Sequence, residues 1–277
     1  MSLNITSLNS GSNGNCYYIG NNNEAVLIDA GISCRETEKR MKRLGLDIKK
    51  VKAVFISHEH SDHINGVTIL SKKYQLPVYI TEPTYKNSGL KIEPQLVMEF
   101  KEDEPVTIGK LTITPFKKLH DAIHPHSFTI ADESVTAGVF TDIGSPCEKL
   151  IHHFQQCHAA FLEANYDEDM LQNGSYPLHL KQRISGQKGH LSNNQAVELF
   201  NKYRPPFMSH LILSHLSSNN NTPEIVERLF AIHACDTKII IASRNKETPI
   251  FFIVPKNHIL NIISKRSPKT KQQLSLF

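Results

Sequence analysis

The segment His58-Glu59-His60-Ser61-Asp62-His63 decides how the rest of the sequence is interpreted. It follows an apolar run at residues 54–56 and precedes a stretch with helical periodicity, so it is predicted to leave a buried strand. On a helix these side chains would point in all directions, whereas a loop leaving a strand lets the three imidazoles and the Asp62 carboxylate converge. Exposed turns rarely concentrate histidines in this way. The segment therefore predicts a loop-borne site for closely spaced metal ions.

Strand and helix patterns alternate on both sides of this segment. Short β-branched and aromatic runs predict strands at residues 5–8, 16–19, 26–28 and 51–57, and helical periodicity is found at residues 35–44 and 64–74. Residues 77–140 again favour short strands. After residue 146, predicted helices (146–156, 193–203, 223–234) alternate with predicted strands (159–163, 211–214, 238–242, 250–254). This order predicts one α/β domain over residues 1–255, with two packed sheets that carry helices on their outer faces.

The composition excludes several classes of protein. With 277 residues, of which 39% are hydrophobic and 21% charged, the chain can bury a large core, so disorder is excluded as its main state. No apolar run approaches the about 20 residues that cross a bilayer, and no secretion signal is visible, so we expect a cytoplasmic protein. The five cysteines are widely spaced and form no Cys-x-x-Cys pair, which argues against disulfides and against a thiolate zinc site.

Positive charge is concentrated at the end of the chain. The net charge is +4, but residues 256–277 hold five basic residues and no acidic one, so residues 1–255 have a net charge of −1. Bulk charge therefore gives no argument for a nucleic-acid partner. We expect residues 256–277 to form a flexible basic tail. The 15 histidines point instead to a metal site with nitrogen and oxygen ligands.

The central segment resembles the His-x-His-x-Asp-His signature of the metallo-β-lactamase fold superfamily. The resemblance extends to Asp29, Asp142 and His215, each of which follows a predicted strand. The alternative for Asp29 is an ordinary helix N-cap, and for the other two a plain turn or strand end. The resemblance implies an αββα four-layer sandwich, in which two mixed sheets are flanked by helices.

The resemblance also implies which side chains bind metal. One ion would be held by His58, His60 and His120, and a second by Asp62, His63 and His215, with Asp142 between them. His124 and His126 lie in the same loop as His120 and remain alternatives to it. Two divalent ions, Zn²⁺ first and Mn²⁺ or Fe²⁺ next, suit such ligands and would support hydrolysis.

Further motifs indicate which class of substrate such a hydrolase would act on. Secreted β-lactamases of the superfamily often carry a cysteine at the bridging position, where this chain has Asp142, so β-lactam hydrolysis is disfavoured. Glu163 and His190 resemble a pair in RNase Z-type phosphodiesterases, in which the histidine protonates the leaving oxygen and the glutamate orients its ring. The predicted catalytic residues are therefore Asp62, Glu163 and His190. Leu162 and Leu191 depart from that pattern, which has a histidine and a serine there.

Over residues 1–255 the sequence resembles the YycJ (WalJ) family. Its marks are the loop at residues 10–16 (SGSNGNC), Glu163-Ala164-Asn165, Gly189-His190-Leu191-Ser192-Asn193 and His215-Leu216-Ser217. The resemblance implies a 5′ to 3′ DNA exonuclease in replication or repair. The alternative is a small-molecule hydrolase of the same fold: a thioesterase, a lactonase or a cyclic phosphodiesterase. The loop at residues 10–15 is either a phosphate-binding turn or a plain hairpin turn.

The last five residues carry a separate signal. Gln273-Leu274-Ser275-Leu276-Phe277 follows the basic stretch and resembles the short peptide by which bacterial replication and repair proteins bind the DNA sliding clamp. A flexible tail with a glutamine and apolar anchors can become ordered in a groove on binding. We therefore predict the sliding clamp as a partner, in addition to DNA as the substrate.

Overall fold

The computed structural model describes residues 2–255. The predicted tail at residues 256–277 and its clamp-binding peptide lie outside this range. Within it, the chain forms two seven-stranded sheets. No helix in the described range is both long and apolar enough to cross a membrane.

The first sheet combines antiparallel and parallel strands. β1 (Leu3–Asn9), β2 (Cys16–Gly20) and β3 (Ala25–Ile28) form an antiparallel meander, and β14 (Phe251–Ile253) adds to its outer edge. On the other side of β3, the strands β4 (Val51–Phe55), β5 (Val78–Tyr79) and β6 (Val97–Met98) all pair in parallel. Because parallel pairing starts at β3, the carboxyl ends of β3 and β4 lie at the same edge of the sheet.

The second sheet repeats this arrangement. β7 (Val106–Ile108), β8 (Leu111–Lys117), β9 (His126–Asp132) and β10 (Val135–Phe140) are antiparallel. Parallel pairing then connects β10 to β11 (Ala159–Glu163), β12 (His210–Ser214) and β13 (Lys238–Ile241). The carboxyl ends of β10, β11 and β12 therefore also share one edge.

Apolar side chains hold the two sheets face to face and fix the helices to their outer faces. Tyr17 of β2 and Phe161 of β11 meet in the central layer, with ring centroids 4.9 Å apart, and both are buried. Helices α1 (Cys34–Arg43), α2 (Ser61–Ile64), α3 (Val67–Tyr74) and α4 (Glu82–Ser88) follow strands of the first sheet. Helices α5 (Glu148–Phe154), α6 (Glu168–Asn173), α7 (Leu178–Ser185), α8 (Asn193–Tyr203) and α9 (Pro223–Ala231) accompany the second. Separate apolar clusters lie between the helices and each sheet, which confirms the predicted four-layer αββα sandwich.

The structure adds helices to those predicted from sequence. The predicted strand-rich stretch at residues 77–140 contains α4, and the segment after β11 contains α6 and α7. The segment His58–His63 is also only partly a loop, because Ser61–Ile64 forms one helical turn. The prediction of an entirely loop-borne site was therefore wrong for Asp62 and His63, since a single turn is short enough for both to face the same cavity.

Candidate metal centre

Three imidazoles converge directly beyond β4. The Nε2 atom of His58 lies 3.0 Å from Nδ1 of His60, and that atom is 3.4 Å from Nε2 of His120. The Nδ1 atom of His120 lies 3.0 Å from the carbonyl oxygen of Gly189, which directs the opposite ring nitrogen towards the other two. These side chains form the first ligand cluster.

A second cluster combines Asp62, His63 and His215. The Oδ2 atom of Asp62 lies 3.5 Å from Nε2 of His63 and 3.5 Å from Nε2 of His215. His63 lies in the helical turn α2, which follows β4 of the first sheet, whereas His215 follows β12 of the second sheet. The second cluster therefore exists only where the two sheets meet.

Asp142 lies between the two clusters. Its Oδ2 atom is 3.1 Å from Nε2 of His63, and its Oδ1 atom is 3.6 Å from Nε2 of His215 and 3.8 Å from Nε2 of His120. The side chain is 2% exposed, and Oδ2 has no hydrogen-bond partner among the described residues. A buried carboxylate that is surrounded by imidazole nitrogens and lacks a well-aligned hydrogen bond at Oδ2 is a position that a cation would satisfy.

The loop that contains the three alternative histidines contributes only His120 to the clusters. The Nδ1 atom of His126 lies 2.9 Å from the carbonyl oxygen of His124, and its ring packs edge-on against Phe100 at 5.2 Å. Neither His124 nor His126 belongs to a group of converging ligand atoms in residues 2–255. Of the three, His120 is the one with a position suited to metal binding.

Asp29 fixes the start of the histidine segment. Its carboxylate accepts hydrogen bonds from the backbone N–H of Ser57 at 2.8 Å and from the Ser57 hydroxyl at 2.8 Å, and it lies 2.7 Å from Nδ1 of His63. The N-cap of α1 is Ser33, so the helix-cap alternative for Asp29 is not what the structure contains. Asp29 orients the His63 ring so that Nε2 faces the second cluster.

Three residues at the strand ends adopt the left-handed backbone conformation. Asp29 has φ 60°, Asp142 has φ 54° and His215 has φ 57°. Residues other than glycine rarely adopt this conformation, although aspartate and histidine are among those that tolerate it. Such positions cluster at functional sites, where the surrounding structure compensates for the backbone strain.

Glu163 connects the metal centre to His190. Its Oε1 atom lies 2.8 Å from Nδ1 of His190 and 3.1 Å from Nδ1 of His215. Its Oε2 atom accepts hydrogen bonds from the backbone N–H groups of Ile143 at 2.6 Å and Leu191 at 3.2 Å. Although burial acts to raise it, the charge and hydrogen bond of His190 together with the bond from His215 lower the pKa of Glu163 to about 2.

The two departures from the RNase Z-type pattern have structural explanations. Leu162 is fully buried in the apolar layer beneath the helices of the second sheet. Leu191 is also fully buried, and its backbone N–H supplies a hydrogen bond to Glu163. Both leucines therefore leave the pairing of Glu163 with His190 intact.

Two residues of the loop at residues 10–15 support the ligands, a role that the sequence did not reveal. The Nδ2 atom of Asn15 lies 3.2 Å from Oδ2 of Asp62 and 3.1 Å from Nε2 of His63. The Ser10 hydroxyl accepts a hydrogen bond from the backbone N–H of His215 at 2.8 Å. The loop connects antiparallel β1 and β2 as a hairpin, and the N–H groups of Gly11, Gly14 and Asn15 are already donated within the protein.

The donor set fits two divalent cations. The nitrogen and oxygen atoms of each cluster lie within 4.8 Å of one another. Although burial acts to lower it, the nearby carboxylates of Asp142, Asp29 and Asp62 raise the pKa of His63 to about 10, so the surroundings of His63 in the second cluster favour positive charge. The first cluster contains only imidazole nitrogens and the second adds a carboxylate, ligands that suit Zn²⁺, Mn²⁺ or Fe²⁺.

Comparisons with known proteins identify the family of the chain and agree with its fold. Residues 24–216 match the family described as the beta-lactamase superfamily domain. A protein named exodeoxyribonuclease YycJ from Bacillus anthracis is 32% identical over 230 residues, which cover 81% of this chain and 86% of that protein. Exodeoxyribonuclease WalJ from Streptococcus pneumoniae is 31% identical over 223 residues, covering 79% of this chain and 83% of that protein.

A solved structure extends the comparison to the fold. The metallo-β-lactamase fold protein YhfI from Bacillus subtilis superimposes with a TM-score of 0.71 at 19% identity, covering 91% of this chain and 100% of that one. At this identity the likeness concerns the fold alone. The family match, the extent of the two sequence relatives and the converging ligands together identify the chain as a metal-dependent hydrolase that belongs to the β-lactamase superfamily and, within it, to the YycJ and WalJ family.

Proposed function

We propose that the protein is a phosphodiesterase that uses two divalent metal ions, Zn²⁺ or Mn²⁺, to degrade DNA from a 5′ end in replication or repair. The observation that carries the proposal is the Glu163–His190 pair beside the ligand clusters, with Oε1 and Nδ1 2.8 Å apart. Phosphodiester cleavage requires a proton for the leaving oxygen, and this pair is suited to supply it. The relatives named exodeoxyribonucleases support DNA as the substrate.

The proposed ligands divide between two ions. His58, His60 and His120 would hold the first, Asp62, His63 and His215 the second, and Asp142 is placed to reach both. Two divalent ions held here would supply Lewis acidity and a nucleophile at neutral pH. The Asp62 side chain is 20% exposed, so this carboxylate is also placed to orient the attacking water.

His190 is the proposed proton donor. Its Nδ1 atom faces Glu163, which leaves Nε2 for the substrate, and its side chain is 20% exposed whereas that of Glu163 is 0% exposed. His190 lines a cavity of about 170 Å³ together with His215 and Tyr176. Because the lowered pKa keeps Glu163 ionised, it can orient the His190 ring and stabilise the protonated form.

The test is digestion of 5′-labelled and 3′-labelled single-stranded and duplex DNA and RNA with Zn²⁺ or Mn²⁺. We expect nucleotide release from the 5′ end of DNA, abolished by His60→Ala and reduced about 10²–10⁴-fold by His190→Ala. His152→Ala is the matched control, because His152 is exposed on α5. Hydrolysis of a cyclic phosphodiester, thioester or lactone without any cleavage of DNA would overturn the proposal in favour of a small-molecule hydrolase.

We further propose that Gln273, Leu274, Ser275, Leu276 and Phe277 bind the DNA sliding clamp, which would place the protein in the cytoplasm at sites of DNA synthesis. The support is the sequence of the peptide and the basic stretch that precedes it. Deletion of residues 273–277 should abolish binding to immobilised clamp and leave digestion of short DNA intact. Undiminished clamp binding by the truncated protein would contradict this proposal.

A further inference from the structure

A second cleft adjoins the cavity of the metal centre. Its volume is about 420 Å³, and it shares Leu216 and Ser217 with the cavity that His190 and His215 line. Apolar atoms make up most of its exposed lining, and the polar part comes from hydroxyl, amide and basic side chains: Ser10, Ser217, Ser218, Asn221, Arg244 and Lys246. No acidic residue in the described part of the chain lines this cleft. The polar part of the cleft contains two basic side chains and, within residues 2–255, no carboxylate, and therefore suits an anion.

Arg244 supplies unused hydrogen-bond donors to this cleft. Its Nη1 atom is shielded from solvent and has no hydrogen-bond acceptor within residues 2–255, and Nη2 makes one long contact of 3.4 Å with the Ser12 hydroxyl. Two other arginines nearby do have acceptors for their guanidinium groups. Arg43 donates to both carboxylate oxygens of Glu247, at 2.7 and 2.6 Å. Arg40 likewise donates to Leu8, Asn9 and Glu36. A half-buried guanidinium with one unpaired donor and one weakly bound donor has hydrogen-bonding capacity left for a ligand.

The position of Arg244 is fixed relative to the metal centre. Its carbonyl oxygen accepts a hydrogen bond from Asn13 Nδ2 at 2.7 Å, and the backbone N–H of Ser10 donates to the carbonyl oxygen of Ser243 at 3.2 Å. The same Ser10 accepts the backbone N–H of His215 through its hydroxyl. Gly11, with φ +143°, allows this close approach, because a Cβ there would lie 3.2 Å from Cβ of Arg244. Ser10 therefore hydrogen-bonds both to the proposed metal ligand His215 and to Ser243, the residue before Arg244.

We propose that this cleft binds a phosphate of the nucleic-acid strand next to the phosphodiester being cleaved, with Arg244 as its principal donor. The inference rests on the proposed phosphodiesterase function, since only a polymeric substrate carries a further phosphate at a neighbouring position. A guanidinium presents two parallel N–H groups to phosphate oxygens, and such contacts position a strand without reading its sequence. The cleft is therefore a positioning subsite for polymeric substrates.

The test compares a polymer with a small substrate. Arg244→Gln is assayed on a 5′-labelled single-stranded oligonucleotide over a range of salt concentrations, and on bis(p-nitrophenyl) phosphate, which carries no second phosphate. We expect kcat/KM on the oligonucleotide to fall about tenfold more than on the small ester, with the loss in KM. The slope of log affinity against log salt should decrease by about one. Arg244→Lys should recover the salt slope but only part of the affinity.

Lys110→Gln is the charge-matched control. Lys110 lies in the turn between β7 and β8, and its neighbours Glu24 and Glu133 are at the strand ends remote from the metal centre. This variant should behave as the unmodified protein on both substrates. Equal losses on both substrates for Arg244→Gln would overturn the subsite, because they would indicate a general effect on the loop that supports His215. Wild-type hydrolysis of the ester without any cleavage of oligonucleotides would instead overturn the proposed function, and the subsite with it.

Discussion

The Oε1 atom of Glu163 lies 3.1 Å from Nδ1 of His215 as well as 2.8 Å from Nδ1 of His190. One buried carboxylate therefore orients both a proposed metal ligand and the proposed proton donor. Hydrogen bonding of this kind fixes the tautomer and ring orientation of a ligating histidine. Glu163 is thus expected to influence metal binding and proton transfer together.

Comparing Glu163→Gln with His190→Ala should distinguish the effect of Glu163 on metal binding from its effect on proton transfer. Glu163→Gln should weaken metal binding about 10–100-fold and also reduce turnover, because His215 and His190 both lose a charged partner. His190→Ala should reduce turnover while retaining both ions. Metal content measured by elemental analysis after dialysis, together with DNA digestion, distinguishes the variants. Full metal occupancy in Glu163→Gln would show that His215 does not depend on this carboxylate.

Asp29 should contribute to metal affinity without contacting the ions. Asp29→Asn tolerates the left-handed backbone at φ 60° but offers His63 no negative charge, so we expect a fold close to that of the original protein and metal affinity reduced about 10–100-fold. Titration with Zn²⁺ in competition with a chromophoric chelator measures the change. Asp47→Asn, at an exposed cap, is the control and should leave affinity unaltered. Equal affinities for the two variants would refute the orienting role of Asp29.

Removing the metals should destabilise the folded protein. Ligands that bind only the native state stabilise it by RT ln(1 + [L]/Kd), about 2.7 kcal/mol per site at a hundredfold excess over Kd. Treatment with a chelator should therefore lower the melting temperature and abolish hydrolysis, and added Zn²⁺ or Mn²⁺ should restore both. His60→Ala, which lacks a ligand of the first cluster, should show a smaller shift under the same scan. A melting temperature insensitive to chelation would contradict metal binding at this site.

The central layer should dominate stability. Phe161 is fully buried between the sheets, so Phe161→Ala is expected to cost about 3–5 kcal/mol through lost burial and the cavity left behind. Phe252, on edge strand β14, is 65% exposed. It is the control position for the same substitution, because its side chain is largely in solvent. Phe252→Ala should change the free energy of unfolding by less than about 0.5 kcal/mol. Denaturant titration of the two variants gives both values, and similar losses would contradict the assigned core.

The strand ends of the site could be predicted because their signals are local. Asp142 and His215 each follow a run of apolar residues long enough to indicate a buried strand, and the structure places both at one sheet edge. The choice of His120 over His126 depended on resemblance to a family, since spacing within the loop does not tell which imidazole points inward.

The missed elements lack the periodic burial that sequence analysis detects. α7 has no buried residue, and the only buried residue of α4 is Thr84 and of α6 is Leu171, so none presents an apolar face. The support given by Asn15 and Ser10 depends on contacts with residues far along the chain. The need for glycine at position 31 also depends on a distant residue. A Cβ there would lie 1.7 Å from the carbonyl oxygen of Asp62, and no local sequence pattern indicates this.

The order of the strands also determines when the centre can form during synthesis. Both sheets contribute side chains to it, and β14 completes the first sheet by pairing Leu3 with Ile253, so contacts of the first strand depend on residues made about 250 positions later. Such distant pairings carry a large loop-closure entropy and form late in folding. A nascent chain that ends before His215 lacks one of the ligands proposed here. Hydrolytic activity is therefore expected only after most of the domain has been made.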